Sequence, residues 1–244
     1  MIDPERLFEL FKDALLKSGI RAKAEDRQLA TDFLKIAEAN LRSCRLLYEQ
    51  RQYFDAVNLL QQSSEKTCKA FMLSIGLLEE KDLKKVGHSG IRMGEAVVRR
   101  GSEFDEVMQY FQPSEDDEYS DTIRIRQKEV GELAVASKER IVGHAVACER
   151  HAKDYMDNID VFVRKLRRSG KKVSPEAVRK AGENAMRIIP VFSLAIFTSA
   201  HVESSRYPGK PRPEEYTPEL GIVGAVPELT CILDKAIEEL ETRL

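Results

Sequence analysis

Tryptophan is absent from the 244-residue chain, and aromatic residues make up only 7% of it. Long apolar runs are missing too. The most apolar stretch, Ile188 to Ala200, interrupts itself with Pro190 and Ser193. A bilayer crossing needs about 20 apolar residues, so this stretch is read as a buried core helix and no membrane contact is expected. The start, Met1-Ile2-Asp3-Pro4-Glu5, has no basic flank and no apolar run, so a secretory signal is not expected. There are 4 cysteines, Cys44, Cys68, Cys148 and Cys231, far apart and without a CxxC pair. Reduced, buried thiols in a cytoplasmic protein are the simplest expectation. Charge of one sign is lacking as well: 39 basic residues against 41 acidic ones leave a net charge of −2. Binding to nucleic acid by bulk charge is excluded, and only a local basic patch remains open.

What the chain has is helical periodicity and charge, the latter 33% of all residues. Asp3-Pro4 signals a helix start, followed by an apolar face of Leu7, Phe8, Phe11, Leu15 and Leu16. A second helix is expected from about Glu25 to Glu49, with Leu29, Phe33, Ile36, Ala37, Leu41, Cys44, Leu47 and Tyr48 on its stripe. A third follows a short break at 50–52, with Ala56, Leu59, Leu60, Ser63, Thr67, Ala70 and Phe71 inward, and Gly76 ending it. So short a break predicts a helical hairpin. Residues 77–91 read as a loop around His88, followed by a helix over about 91–111 and an acidic connector, Pro113 to Asp121. From about Thr122 to Arg168, Ile141, Ala145, Cys148, Ala152, Tyr155, Ile159 and Phe162 repeat at spacings of four and three, the seam of a helix packed lengthwise. A helix from Pro175 to about Ser204 is expected, kinked or re-initiated at Pro190. A stiff loop holding Pro208, Pro211 and Pro213 comes next, and a last helix runs from Pro227 to Arg243. No strand pattern competes, so the fold class is all-α.

Two stretches carry a family likeness. The first is Tyr53-Phe54-Asp55-Ala56 with Gln61-Gln62-Ser63-Ser64-Glu65-Lys66-Thr67-Cys68-Lys69-Ala70, then Gly76 and His88. The second is Ser205-Arg206-Tyr207-Pro208-Gly209 with Glu215-Tyr216-Thr217. Together and in this order they resemble the HEPN family of nucleotide-binding helical domains. The resemblance implies one domain over 1–244: an up-and-down bundle of four to five core helices (about 25–111 and 174–244), an added N-terminal helix, and a long inserted helix within about 112–173. It also implies a homodimer, nucleotide or RNA chemistry, and for many members a nucleotidyltransferase partner in toxin–antitoxin-like systems. Other members are metal-independent ribonucleases with an Arg-x4–6-His motif. None of the 4 histidines here has arginine at that distance, and the nearest approach, Arg140-x3-His144, is one residue short. The expectation is therefore a non-catalytic module without a cofactor, binding a nucleotide, RNA or a nucleotidyltransferase. The alternatives are a divergent ribonuclease using His88 or His201 with Arg206, and a purely structural adaptor.

Each candidate site has two readings. Gln62, Glu65, Lys66 and Lys69 fall on one helix face, either to grip a phosphate and read a base or as a solvated face with a Glu65–Lys69 pair. Arg206 and Tyr207 either hold a phosphate and stack on a base, or cap a helix and plug the bundle end. His88, between Gly87 and Gly90, is either catalytic or part of a tight turn. His144, Cys148 and His151 stand at i, i+4 and i+7, either three zinc ligands or one thiol in a packing seam beside two histidines. The basic run from Arg164 to Lys172 either contacts RNA backbone or is a solvated helix end.

Overall fold

A computed structural model describes residues 24–87, 93, 135–158, 160, 161, 164, 175–199, 201 and 212–244. Within them lie six α-helices, α1 (Ala24–Glu49), α2 (Tyr53–Ser74), α3 (Glu80–Val86), α4 (Lys138–Asp157), α5 (Pro175–Ser199) and α6 (Gly221–Glu241), with a 3₁₀ turn at Pro213–Glu215. No strand occurs among the described residues, and the fold is all-α. No described helix is long and apolar enough to cross a membrane. The first amphipathic stretch, the helix expected over 91–111 apart from Met93, the acidic connector, more than half of the insertion expected over 112–173, and the proline-rich loop up to Pro211 lie outside the described residues.

α1 and α2 form the expected hairpin. Arg51 turns the chain at φ 61, and the Tyr48 and Tyr53 rings meet edge to face, 5.4 Å apart. Ser63 Oγ donates to the Ala37 carbonyl across the pair at 2.8 Å. The α1 side turned to α2 carries Ala30, Leu34, Ala37, Leu41 and Cys44, all buried. Ile36, expected on that stripe, points outward instead, because 100° per residue carries it away from the Leu34–Ala37–Leu41 line.

α2 ends in a Schellman turn. The Leu77 N–H donates to the Met72 carbonyl and the Gly76 N–H to the Leu73 carbonyl, and Gly76 sits at φ 77, where a side chain would be strained. The segment after it, expected as loop, contains the short helix α3. Its start is fixed locally, since the Glu79 N–H donates to Asp82 Oδ2 at 3.0 Å. The Glu80 N–H also donates to Asp26 Oδ1, pinning α3 to the first turn of α1.

α6 begins at Gly221, ahead of the expected start at Pro227. Pro227 lies inside this helix and forgoes the bond to the Val223 carbonyl, but Ile222, Val223, Ala225 and Val226 are all buried, and that packing carries the helix backward past it. α5 runs through Pro190 and ends at Ser199, short of the expected Ser204. α6 packs against α1, α2, α4 and α5, and α5 against α2, α4 and α6. Arg45 pairs with Asp234 and Lys138 with Glu228, joining α1 and α4 to α6 at the rim. Of the expected α4 seam, Ile141 and Ala145 are buried. Cys44 and Cys68 are free buried thiols, raised in pKa by burial (Cys44 to about 12), whereas Cys231 is exposed, contrary to expectation.

Candidate functional site

α2 is enclosed on most of its circumference, so every polar side chain on its inner faces needs a partner. From Leu60 to Leu73 only Gln62 and Lys66 escape burial. Glu65 and Lys69, read above as one possible solvated face, are both buried, and a single carboxylate oxygen organises them. Glu65 Oε1 accepts from Lys69 Nζ at 2.6 Å and from Lys66 Nζ at 3.1 Å. Gln61 Nε2 donates to the other oxygen, Oε2, at 3.2 Å. Lys69 donates a second bond, 2.6 Å long, to the Gly87 carbonyl, and so anchors the residue before His88. The Phe33 ring of α1 lies below both cations, its centroid 5.9 Å from Lys66 Nζ and 5.8 Å from Lys69 Nζ. Cation–π attraction adds to ion pairing there.

The electrostatics follow from this packing. Burial alone would push the Glu65 carboxyl up. The Lys69 ammonium, and after it that of Lys66, outweigh burial and hold the carboxyl at about 2. Burial moves the Lys69 ammonium below its ordinary value despite Glu65. The trio of Glu65, Lys66 and Lys69 carries one more positive than negative charge. Lys66, with 16% of its side chain exposed, is the cation that solvent reaches.

On its open side α2 presents Asp55, Asn58, Leu59, Gln62 and Lys66, a stripe at three- and four-residue spacing that is polar apart from Leu59. The structure thus brings Lys66 and Lys69 together on Glu65 and sets Gln62 one turn away, exposed. Its neighbour Gln61 makes the carboxylate contact. Gln61 was missed above, although its i, i+4 spacing to Glu65 is visible in the sequence. Phe33 and the Gly87 carbonyl come from distant chain and carry no such signal.

A second polar cluster joins α2 to α5 and the chain after it. The Ser64 and Thr198 hydroxyls lie 3.0 Å apart, both fully buried. His201, past the end of α5, is 1% exposed and its Nδ1 stands 2.9 Å from the Tyr216 hydroxyl. Tyr216 packs edge to face on Phe54 of α2, with ring centroids 5.0 Å apart. Burial lowers the His201 pKa to about 4, so the ring is neutral at pH 7. Its Nε2 has no hydrogen-bond partner among the described residues. His144 sits half-buried with Nδ1 2.8 Å from Ser193 Oγ and its ring edge to face with Phe197. Among the described residues no three potential ligands gather into a metal site. The side chains of Cys148 and His151 lie outside the described residues, as do His88, Arg206, Tyr207 and, apart from the exposed Arg164, the basic run.

Comparison with known proteins gives one match, to a family model over part of the chain. Residues 30–143, a little under half of the chain, match the HEPN domain, from α1 into the first turns of α4. The likeness read from the Tyr53–Ala70 stretch is borne out by that match. No curated protein and no solved structure matches the chain.

Proposed function

We propose, for a chain whose residues 30–143 match the HEPN domain, that it is a non-catalytic module binding a nucleotide or RNA through phosphate. One observation carries the reading. An otherwise enclosed helix opens to solvent along a polar stripe, and the stripe ends at Lys66, above a buried cluster with positive charge in excess. Lys66 meets the phosphate, Lys69 supplies field from below, and Gln62, one turn away, offers an amide to a sugar or base edge. Arg206 and Tyr207, from the second family-like stretch, complete the site in this proposal by holding a phosphate and stacking on a base. A nucleotidyltransferase in a toxin–antitoxin-like setting is the natural bearer of such a ligand and remains the proposed protein partner. The proposed compartment is the cytoplasm.

The ribonuclease reading finds less support. The Arg-x4–6-His spacing is absent, and His201 is sealed from solvent and held neutral. A histidine acting on a ribose hydroxyl must reach it within hydrogen-bond distance. Fluorescence anisotropy with labelled short RNA, alongside calorimetry with AMP and ATP, tests the proposal. Binding by the intact chain is expected to weaken at least tenfold on Lys66→Ala while far-UV circular dichroism stays unchanged. Absence of binding to all three ligands leaves the structural adaptor as the better account. Cleavage of RNA that is abolished by His201→Ala or His88→Ala overturns the word non-catalytic.

A further inference from the structure

Where α1 packs on α2, the two helices leave a groove along the open side of α2, and one amide beside it is idle. Asn40 of α1 is half-buried, and its Nδ2 is shielded from water with no hydrogen-bond partner among the described residues. A buried donor left unpaired costs stability, so the fold itself supplies no reason for an amide at this position. The hairpin sets where that amide lies. Ser63 bonds across to Ala37, so in an antiparallel pair Asn40, one turn further on, comes level with Leu59 and Leu60. Phe33, seven residues before Asn40 on the same side of α1, lies below Lys66. Lys66 and Leu59 are likewise seven apart on one side of α2. Phe33 and Asn40 therefore flank Lys66 and Leu59 in that order.

We propose that this groove takes a single purine nucleotide, an inference that rests on the reading of Lys66 as the phosphate grip. The phosphate sits at Lys66, the base lies on Leu59, and the purine N7 accepts from Asn40 Nδ2. Lys66 and Leu59 stand two turns apart, about 10 Å along the axis, which matches the length of one nucleotide. Leu59 is the one apolar member of the stripe and gives the base a surface on which to shed water. N7 is an acceptor on both purines and is absent from pyrimidines, and it matches the donor that Asn40 leaves unused. A half turn of the amide exchanges its nitrogen and oxygen without changing its shape, so the donor can turn toward the ligand. Charge limits the ligand to one unit. Lys66 is the one cation on the stripe among the described residues, and the exposed Asp55 stands one turn beyond Leu59. A longer RNA would carry its next phosphate toward that carboxylate, a repulsion that selects against it.

Calorimetry on the intact chain with AMP, 7-deaza-AMP and ribose 5-phosphate tests the assignment. AMP is expected to bind roughly tenfold tighter than 7-deaza-AMP, the worth of one hydrogen bond, and tighter again than ribose 5-phosphate. Asn40→Ala is expected to erase the advantage of AMP over 7-deaza-AMP, with ribose 5-phosphate binding and far-UV circular dichroism unchanged. Lys66→Ala is expected to weaken all three ligands alike. Tri-adenylate is expected to bind no tighter than AMP. Equal binding of AMP and 7-deaza-AMP by the parent chain overturns the proposal without help from any variant. So does a difference that survives Asn40→Ala, UMP binding as tightly as AMP, or tri-adenylate binding far more tightly. If Lys66→Ala still weakens binding in those cases, the phosphate reading stands and only the base contact falls. No binding of any of these ligands overturns both.

Discussion

Glu65 sits at 1% side-chain exposure with two ammonium groups on one of its oxygens, and that placement makes it the most consequential polar residue in α2. A buried pair adds little net stability against an apolar core of equal volume, yet breaking one side of it is costly, since the remaining charge loses its partner in a poorly solvated place. Glu65→Gln keeps the shape and strands Lys69, and is expected to destabilise the protein by about 3–5 kcal/mol at pH 7. The double change Glu65→Leu with Lys69→Met removes both charges and should cost clearly less than the single one. Urea unfolding of the three chains checks this, and a double variant no more stable than Glu65→Gln contradicts the account. Part of this cluster was legible in advance, because Gln62, Glu65, Lys66 and Lys69 share a helical face by spacing, but it is Gln61, not Gln62, that reaches the carboxylate. Its burial was not legible. It depends on Phe33, over thirty residues away, and on the Gly87 carbonyl arriving from a turn set by Gly76.

At the scale of elements, the α4–α6 contact turns on one absent side chain. A Cβ built on Gly221 falls 2.0 Å from the Ala136 carbonyl oxygen, and within 3 Å of backbone atoms of Ser137 and Lys138. Backbone cannot swing aside as a long side chain can. Gly221→Ala is therefore expected to cost about 1–3 kcal/mol or more, by forcing the start of α6 off the start of α4. Gly224 is the internal comparison, where a Cβ comes no nearer than 3.2 Å, to the Pro218 carbonyl. Replacing glycine inside a helix gains up to about 1 kcal/mol of propensity, so Gly224→Ala should be nearly neutral. Thermal melts separate the two, with about 2–4 °C expected per kcal/mol in a protein of this size. Equal melts would mean that α4 and α6 do not meet as described. The sequence periodicity located α1, α2, α5 and α6, since long amphipathic repeats declare themselves. It failed at ends decided by packing: Pro227 reads as a start signal, yet the buried apolar run before it carries the helix back to Gly221.

Over the whole molecule, two buried groups tie folding to pH in adjoining windows. His201 has its pKa lowered from 6.5 to about 4 by burial, so the unfolded chain takes up its proton first as pH falls. Stability owed to the neutral ring is whole above about 6.5 and is lost as pH drops toward about 4. At about 1.4 kcal/mol per pKa unit, the loss can approach 3 kcal/mol. Glu65 is lowered from 4.5 to about 2, so its contribution is whole above about 4.5 and is lost as pH falls toward about 2. Both slopes have the same sign, and stability should rise from about pH 2 to pH 6.5 and then level. His201→Gln deletes the upper window and leaves the lower one. The urea midpoint of the variant should change less between pH 7 and pH 5 than that of the parent. The outcome bears on function as well as on folding. An equal pH response in the two chains would mean that His201 takes its proton in the folded state near its ordinary pH. The ring would then be accessible enough for acid–base work, and the ribonuclease reading would regain the histidine it now lacks.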